Sequence, residues 1–231
     1  DSYLGVALRD RQDQVLGSLC IFDRQPLREP ERARQILKVF GSRAATELER
    51  QRTENALQNL IEGTAALTGP DFFPALVQHI SIALNASHAF VTESVDDGSR
   101  LHFLAAWADG EYLPNETVEV AGTTCLLALE QGAYYCEREV IARFPQNPRL
   151  APMGVDSYMG VALKNLAGQS IGTLCIFARQ PIVDPEHAEQ ILRVFGARAA
   201  AEIERQRGQA ALEQLNIELE QRVEQRTQEL A

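Results

Sequence analysis

The spacing of apolar positions changes period several times along the chain, and each change predicts an element. Residues 1–9 and 14–22 are short apolar-rich runs joined by a polar turn, Arg9 to Asp13, the pattern of a β-hairpin. Apolar or small side chains fall on both of its faces, so it needs cover on two sides; two strands alone are marginal. From Pro30 the period becomes helical, through Ile36, Leu37, Phe40, Ala44 and Leu48 to Ala56, Leu57, Leu60 and Ile61. Nothing breaks it before Gly63, and the firm stop is Gly69-Pro70. One long helix is predicted, with proline tolerated in its first turn.

Beyond Pro70 the apolar side of Asp71–Asn85 (Phe72, Phe73, Leu76, Val77, Ile80, Leu84) predicts a second helix. His88–Val95 and Leu101–Trp107 flank Asp96-Asp97-Gly98 as a second hairpin. A short strand at Thr117–Val120, a short helix from Cys125 to Gln131, an extended Tyr134-Tyr135-Cys136 and an irregular Val140–Pro152 follow. A third hairpin then leads to a helix that starts at Pro185 and runs to the end. Leu192, Phe195, Ala199 and Ile203, then Leu212, Leu215, Leu219, Val223 and Leu230, form its seam. That spacing is nearer an eleven-residue than a seven-residue coiled-coil repeat. Past Ile203 no globular sequence remains to cover the leucines, which predicts a partner helix and so a homodimer.

The third hairpin repeats the first. Asp156-Ser157-Tyr158-Met159-Gly160-Val161-Ala162-Leu163 matches Asp1-Ser2-Tyr3-Leu4-Gly5-Val6-Ala7-Leu8. Gly172-Thr173-Leu174-Cys175-Ile176-Phe177 matches Gly17-Ser18-Leu19-Cys20-Ile21-Phe22. The match runs to Leu60 and Leu215 at a displacement of about 155 residues, too long for a solenoid unit and right for a duplicated domain. The expected organisation is the C-terminal part of a first domain with its connecting helix (1–52), a complete second copy (54–207) and a signalling helix (208–231). On this reading the chain begins inside a domain.

Composition narrows the function. A net charge of -10 argues against a nucleic-acid surface, which needs a clustered basic face. No apolar run is long enough to cross a bilayer, and no leader pattern is present. Four scattered cysteines make no disulfide framework, so a reducing, cytoplasmic setting is expected. The four histidines form no zinc-ligand pattern with the cysteines, and no phosphate-binding glycine loop, Ser-His-Asp set or carboxylate pair is found. No cofactor is named by the residues.

The order of elements, with Gly160-Val161-Ala162-Leu163 and the closing strand Gly172-Thr173-Leu174-Cys175-Ile176, resembles a GAF domain. Gly122-Thr123-Thr124-Cys125 followed by Tyr134-Tyr135 is similar to a bacterial subgroup placed in tandem upstream of histidine kinases or cyclic-di-GMP enzymes. Arg222–Leu230 resembles the signalling helix before such outputs. The resemblance implies an α+β fold with a six-stranded antiparallel sheet, helices on both faces and a ligand pocket on the face opposite the terminal helices. Candidate pocket residues are Phe90, Trp107, Thr124, Cys125, Tyr135, Phe144 and Tyr158.

The pattern departs from several GAF subfamilies. Neither Cys125-Leu126 nor Cys136-Glu137 is the Cys-His of bilin attachment, and the Asn-Lys-Phe-Asp-Glu signature of cyclic-nucleotide binders is absent. The cysteine pattern of the methionine sulfoxide reductases is not reproduced. The leading expectation is a non-catalytic sensory module that binds a small molecule and relays a signal through dimeric helices to an output domain. An alternative uses Cys125, at a helix start where thiol pKa values fall, with Cys136 as a thiol-redox pair. Another is a ligand-free dimerising spacer.

Overall fold

The computed structural model describes residues 2–9, 15–65 and 68–229. It divides into two compact units, residues 1–61 and 62–231. The first holds β1 (Ser2–Arg9), β2 (Val15–Asp23) and most of α1 (Pro30–Ala65). β1 and β2 pair antiparallel, Gly5 opposite Cys20 and Tyr3 opposite Phe22. Gly41 of α1 lies against Val6 and Leu8, at 3.2 and 3.3 Å from where a Cβ would stand. The predicted turn residues 10–13, Leu230, and the side chains of Ala56, Leu57, Leu60 and Ile61 lie outside what is described.

The second unit is built on an antiparallel sheet. Its elements are α2 (Phe72–Ala83), β3 (His88–Val95), β4 (Arg100–Ala108), β5 (Glu111–Leu113), β6 (Thr117–Glu119), α3 (Thr124–Gln131) and β7 (Ala133–Cys136). They continue with α4 (Val140–Arg143), α5 (Leu150–Met153), β8 (Ser157–Lys164), β9 (Ser170–Ala178) and α6 (Pro185–Glu229). The strand order is β5-β4-β3-β9-β8-β7, and β6 also pairs with β4. β5 takes residues 106–108 of β4 and β6 takes 100–102, so seven strands fill the six expected positions. β9 sits at the centre between β3 and β8, which brings the repeated hairpin into the middle of the sheet.

Two features depart from the sequence expectation. β5 was not anticipated, although its turn is signalled: Asp109 (φ 49°) and Gly110 (φ 95°) both adopt the left-handed conformation that a two-residue hairpin requires. Val140–Pro152 is also less irregular than its prolines suggest. Two single helical turns form there, the second ending at Gly154 with φ 61°.

One sheet face packs against α2 and α6. Leu76, Val77 and Ile80 of α2, Val161, Leu163, Leu174 and Ile176 of the sheet, and Leu192, Phe195, Ala199 and Ile203 of α6 are buried. Each of the larger side chains among them contributes about 1.5–3 kcal/mol when removed from water. Gly196 of α6 meets Val161 and Leu163, both at 3.3 Å from its would-be Cβ. This is the same helix-on-strand contact that Gly41 makes with Val6 and Leu8, so the repeat is structural as well as textual.

Burial on α6 stops after Ile203. Leu212, Leu215, Leu219 and Val223 are between 59% and 64% exposed. At the point of departure Glu202 clamps the helix to the turn before α2. Its carboxylate accepts hydrogen bonds from the Gly69 backbone N–H at 2.8 Å, from Arg205 at 2.7 and 2.8 Å, and from Gln206 at 3.0 Å. The Arg205 guanidinium is the chief reason that this carboxyl is held at about 2, below its usual 4.5.

A folded-state pKa below the unfolded one means that the stabilisation is complete above the ordinary carboxylate value and is lost as pH falls through about 2. The contribution is on the order of 2 kcal/mol, discounted because Arg205 is half exposed. Thermal melts between neutral and strongly acid pH should therefore show Glu202→Gln less stable than wild type at neutrality. The two should converge as pH approaches the folded value. Parallel curves throughout would contradict the clamp.

Candidate functional site

The other sheet face lines a cavity of about 470 Å³. Strand alternation places His88, Phe90 and Thr92 of β3 and Cys175 and Phe177 of β9 on its floor. β4 contributes Leu101, Phe103 and Ala106. Those three share a face because the β3–β4 pairing slips by one residue at Leu104, between the Val91–Ala105 and Thr92–Phe103 pairs. The roof is Thr123–Cys125 at the start of α3, the Leu113–Val118 stretch and Asn147–Met153 around α5. Most of the lining is apolar. Arg149 and Glu116 form an ion pair at its edge, and the Arg149 guanidinium stands 6.0 Å from the Phe103 ring.

Of the residues singled out from sequence, Phe90, Thr124 and Cys125 line this cavity. Tyr158 is fully buried just behind it, its hydroxyl 3.8 Å from Cys125 Sγ. Folded back along its strand, its ring occupies the space where Gly160 would carry a side chain, so no larger residue fits at 160. Phe144 packs beside Tyr134 (ring centroids 6.1 Å apart) in the cluster behind the cavity. Trp107 and Tyr135 lie elsewhere. Trp107 pairs with Ala89 while Phe90 pairs with Ala106, so Trp107 faces the helices. There it meets Tyr112 edge to face, and the Tyr112 hydroxyl donates to the Pro74 carbonyl and Gln78 of α2. In β7 it is Tyr134 and Cys136 that pack into the cavity-side cluster, which turns the intervening Tyr135 away. Sequence reading passed over Phe103, Phe177 and Cys175. Cys175 and Phe177 alternate on β9, a signal that was present in the apolar run.

Two polar groups inside the cavity stand out. Thr124 is 1% exposed, and its Oγ1 makes no hydrogen bond of acceptable geometry among the described residues. A buried hydroxyl without a partner is costly, of order 1–3 kcal/mol. The Cys125 thiol is lowered to about 7, chiefly by hydrogen bonding with Cys175 and despite burial, with help from the Thr173 and Tyr158 hydroxyls. Cys175 is correspondingly pushed well up by the same contact and by burial. Cys136 does not line the cavity. It is buried, donates to the Arg138 carbonyl at 3.3 Å, and is raised mainly by burial. Cys125 is therefore beside Cys175 and not paired with Cys136.

A second, more open groove of about 760 Å³ runs past the Arg179–Asp109 ion pair, 2.7 Å, and the start of α6. Asp184 in its lining accepts a hydrogen bond from the His187 backbone N–H at 3.0 Å. Among the described residues no group of three or more His, Cys, Asp or Glu stands together as a metal site, and no helix is long and apolar enough to cross a membrane.

The comparisons with known proteins agree with this architecture. The GAF domain profile matches residues 70–203, more than half of the chain, and the chain belongs to the GAF family. GAF domains are sensory and signalling modules, some of which bind ligands. The structure is similar to the GAF domain of a phosphoenolpyruvate-protein phosphotransferase from Coxiella burnetii, with TM-score 0.56 and 15% identity over 70% of this chain and 98% of that one. The Acinetobacter phosphoenolpyruvate-protein phosphotransferase GAF domain gives 0.55 and 15%, over 69% and 97%. The GAF domain of a protein assigned as a sensor histidine kinase from Pseudomonas syringae pv. tomato gives 0.52 and 17%, over 74% and 99%. At these identities the likeness is one of fold. No curated protein matches the sequence.

Cys125 is expected to be alkylated by iodoacetamide well before Cys136 and Cys175, with a rate that rises through about pH 7 and then levels. Peptide mass spectrometry of partly labelled protein reads this directly. Equal labelling of Cys125 and Cys136 would contradict the environment described.

Proposed function

We infer that residues 54–207 are a sensory domain whose cavity takes a small, largely apolar molecule, and that α6 relays occupancy to an output domain in the same polypeptide. Residues 1–52 are then the matching part of a first copy, and 208–231 the signalling helix of a homodimer. The observation that carries this reading is the largely apolar cavity on the sheet face opposite α6, with Thr124 and its orphan hydroxyl in the lining. An apolar lining with one or two aimed polar groups is the make-up of a small-molecule site.

The exposed leucine seam beyond Ile203 supports the relay. A second α6 laid alongside would bury Leu212, Leu215, Leu219 and Val223, and a ligand that favours one helix arrangement would shift the equilibrium between them. The similarity to a GAF domain assigned to a sensor histidine kinase makes a kinase one fitting output. Sensing without catalysis agrees with the regulatory character of GAF domains.

The test uses 8-anilinonaphthalene-1-sulfonate as probe and sedimentation as the readout of assembly. Wild type should bind the probe with a blue-shifted emission, and Ala106→Phe, which fills the cavity, should weaken binding about tenfold. Leu215→Asp with Leu219→Asp should leave probe binding intact and convert dimer to monomer. A folded wild-type dimer that binds no probe would leave a ligand-free spacer, and a wild-type monomer would remove the relay.

A further inference from the structure

The cavity holds more chemistry than a passive apolar pocket needs. Two of the four cysteines, Cys125 at the start of α3 and Cys175 in the middle of β9, line its wall together. Cys175 Cβ would stand 3.1 Å from a side chain at Gly160, the space that the Tyr158 ring occupies. The Tyr158 hydroxyl in turn lies 3.8 Å from Cys125 Sγ. Both thiols thus converge on one phenol just behind a cavity whose lining is mostly apolar. The unpartnered Thr124 Oγ1 is the adjacent residue and lines the same space. Packing alone gives no reason for a thiol pair and an unsatisfied hydroxyl to meet where an apolar molecule has room to enter.

We propose that Cys125 and Cys175 form a thiol–disulfide switch that is set by an organic hydroperoxide bound in the cavity. The proposal rests on the sensory reading of that cavity and names its ligand class. The hydrocarbon lining by Phe90, Phe103 and Phe177 holds the organic substituent, and Thr124 Oγ1 donates a hydrogen bond to the peroxide oxygen that it has no protein partner to replace. Cys125 sulfur attacks the distal oxygen. The O–O bond breaks, the alkoxide leaves as the alcohol with the thiol's proton, and Cys125 becomes a sulfenic acid. Cys175 sulfur then attacks the Cys125 sulfur. The S–S bond forms, the S–OH bond breaks, and the hydroxyl leaves with the Cys175 proton as water. Two thiols have given two electrons and two hydrogens to the hydroperoxide, which ends as alcohol and water. The new bond ties the first turn of α3 to the central strand, whose other face carries Leu174 and Ile176 against the helices. A cellular thiol reductant reverses it.

The test treats the reduced chain with cumene hydroperoxide and follows intact mass and cross-linked peptides. A loss of about 2 Da with a Cys125–Cys175 linked peptide is expected, reversed by dithiothreitol. Cys136→Ser should react like wild type. Cys175→Ser should stop at a Cys125 sulfenic acid that dimedone captures, an outcome that does not depend on Cys125→Ser folding. Cumene hydroperoxide should react about tenfold faster than hydrogen peroxide, and Ala106→Phe should erase that preference. A bridge to Cys136 or Cys20, or an inert Cys125, overturns the switch. Equal rates with the two oxidants overturn the assignment of the cavity to the organic substituent. If the anilinonaphthalene probe still binds while Cys125 is inert, the thiol chemistry fails and the sensory cavity stands. If neither is observed, both fail.

Discussion

The structure depends on one constraint, the two-residue alternation of side chains along the central strand β9. Cys175 and Phe177 point into the cavity, while Leu174 and Ile176 are buried against the helices. A single layer of backbone separates the cavity from the packing surface of α6. Nothing larger than glycine fits where Tyr158 folds over residue 160, and the pairing of Gly160 with Cys175 joins β8 to the same wall. Any displacement of β8 or β9 that accommodates a ligand is felt by Val161, Leu163, Leu174 and Ile176. Those residues touch an interior packed as densely as an organic crystal.

The exit helix behaves as two segments under that constraint. From Pro185 to Ile203 it is part of the domain core, and Glu202 fixes the place where it leaves. Beyond Ile203 its apolar stripe faces water along its length. Under the proposed function, this division places the boundary between sensing and relay within one continuous helix. A rigid element of that kind transmits rotation or translation more faithfully than a flexible linker. The duplicated hairpin in residues 2–23 shows by contrast what the sheet supplies. Tyr3 and Phe22 are 61% and 76% exposed, whereas their counterparts Tyr158 and Phe177 are 0% and 4% exposed. The difference lies in the flanking strands and roof segments that surround the second copy, since the hairpin sequences are nearly the same.

Much of this was legible in the sequence, and the portions that were not have physical reasons. Periodicity located both long helices, α2 and the three hairpins, because amphipathic spacing and turn residues are local properties. The face on which a strand residue lies is not local. The slip at Leu104 reverses the phase of β4, so that Phe103 and Ala106 share the cavity while Trp107 turns to α2. No propensity rule marks that slip. Tyr135 was misplaced for the same reason, since only the pairing with β8 sets which of the two adjacent tyrosines points inward. The company of Cys125 was equally hidden. Cys136 is eleven positions away along the chain, but the fold brings Cys175, fifty positions away, to its side. The Asp109-Gly110 turn, by contrast, was readable and announces β5.

The central claim is that the state of the cavity is felt across the sheet by α6. Hydrogen–deuterium exchange of the chain with and without bound 8-anilinonaphthalene-1-sulfonate tests it most directly. The account predicts altered exchange not only in β3, β9 and α3 but also in residues 185–203 of α6, with Ala106→Phe reproducing the bound pattern in the absence of probe. Changes confined to the cavity lining, with α6 exchanging identically in both states, would show that the sheet insulates the pocket from the helix and would contradict the account.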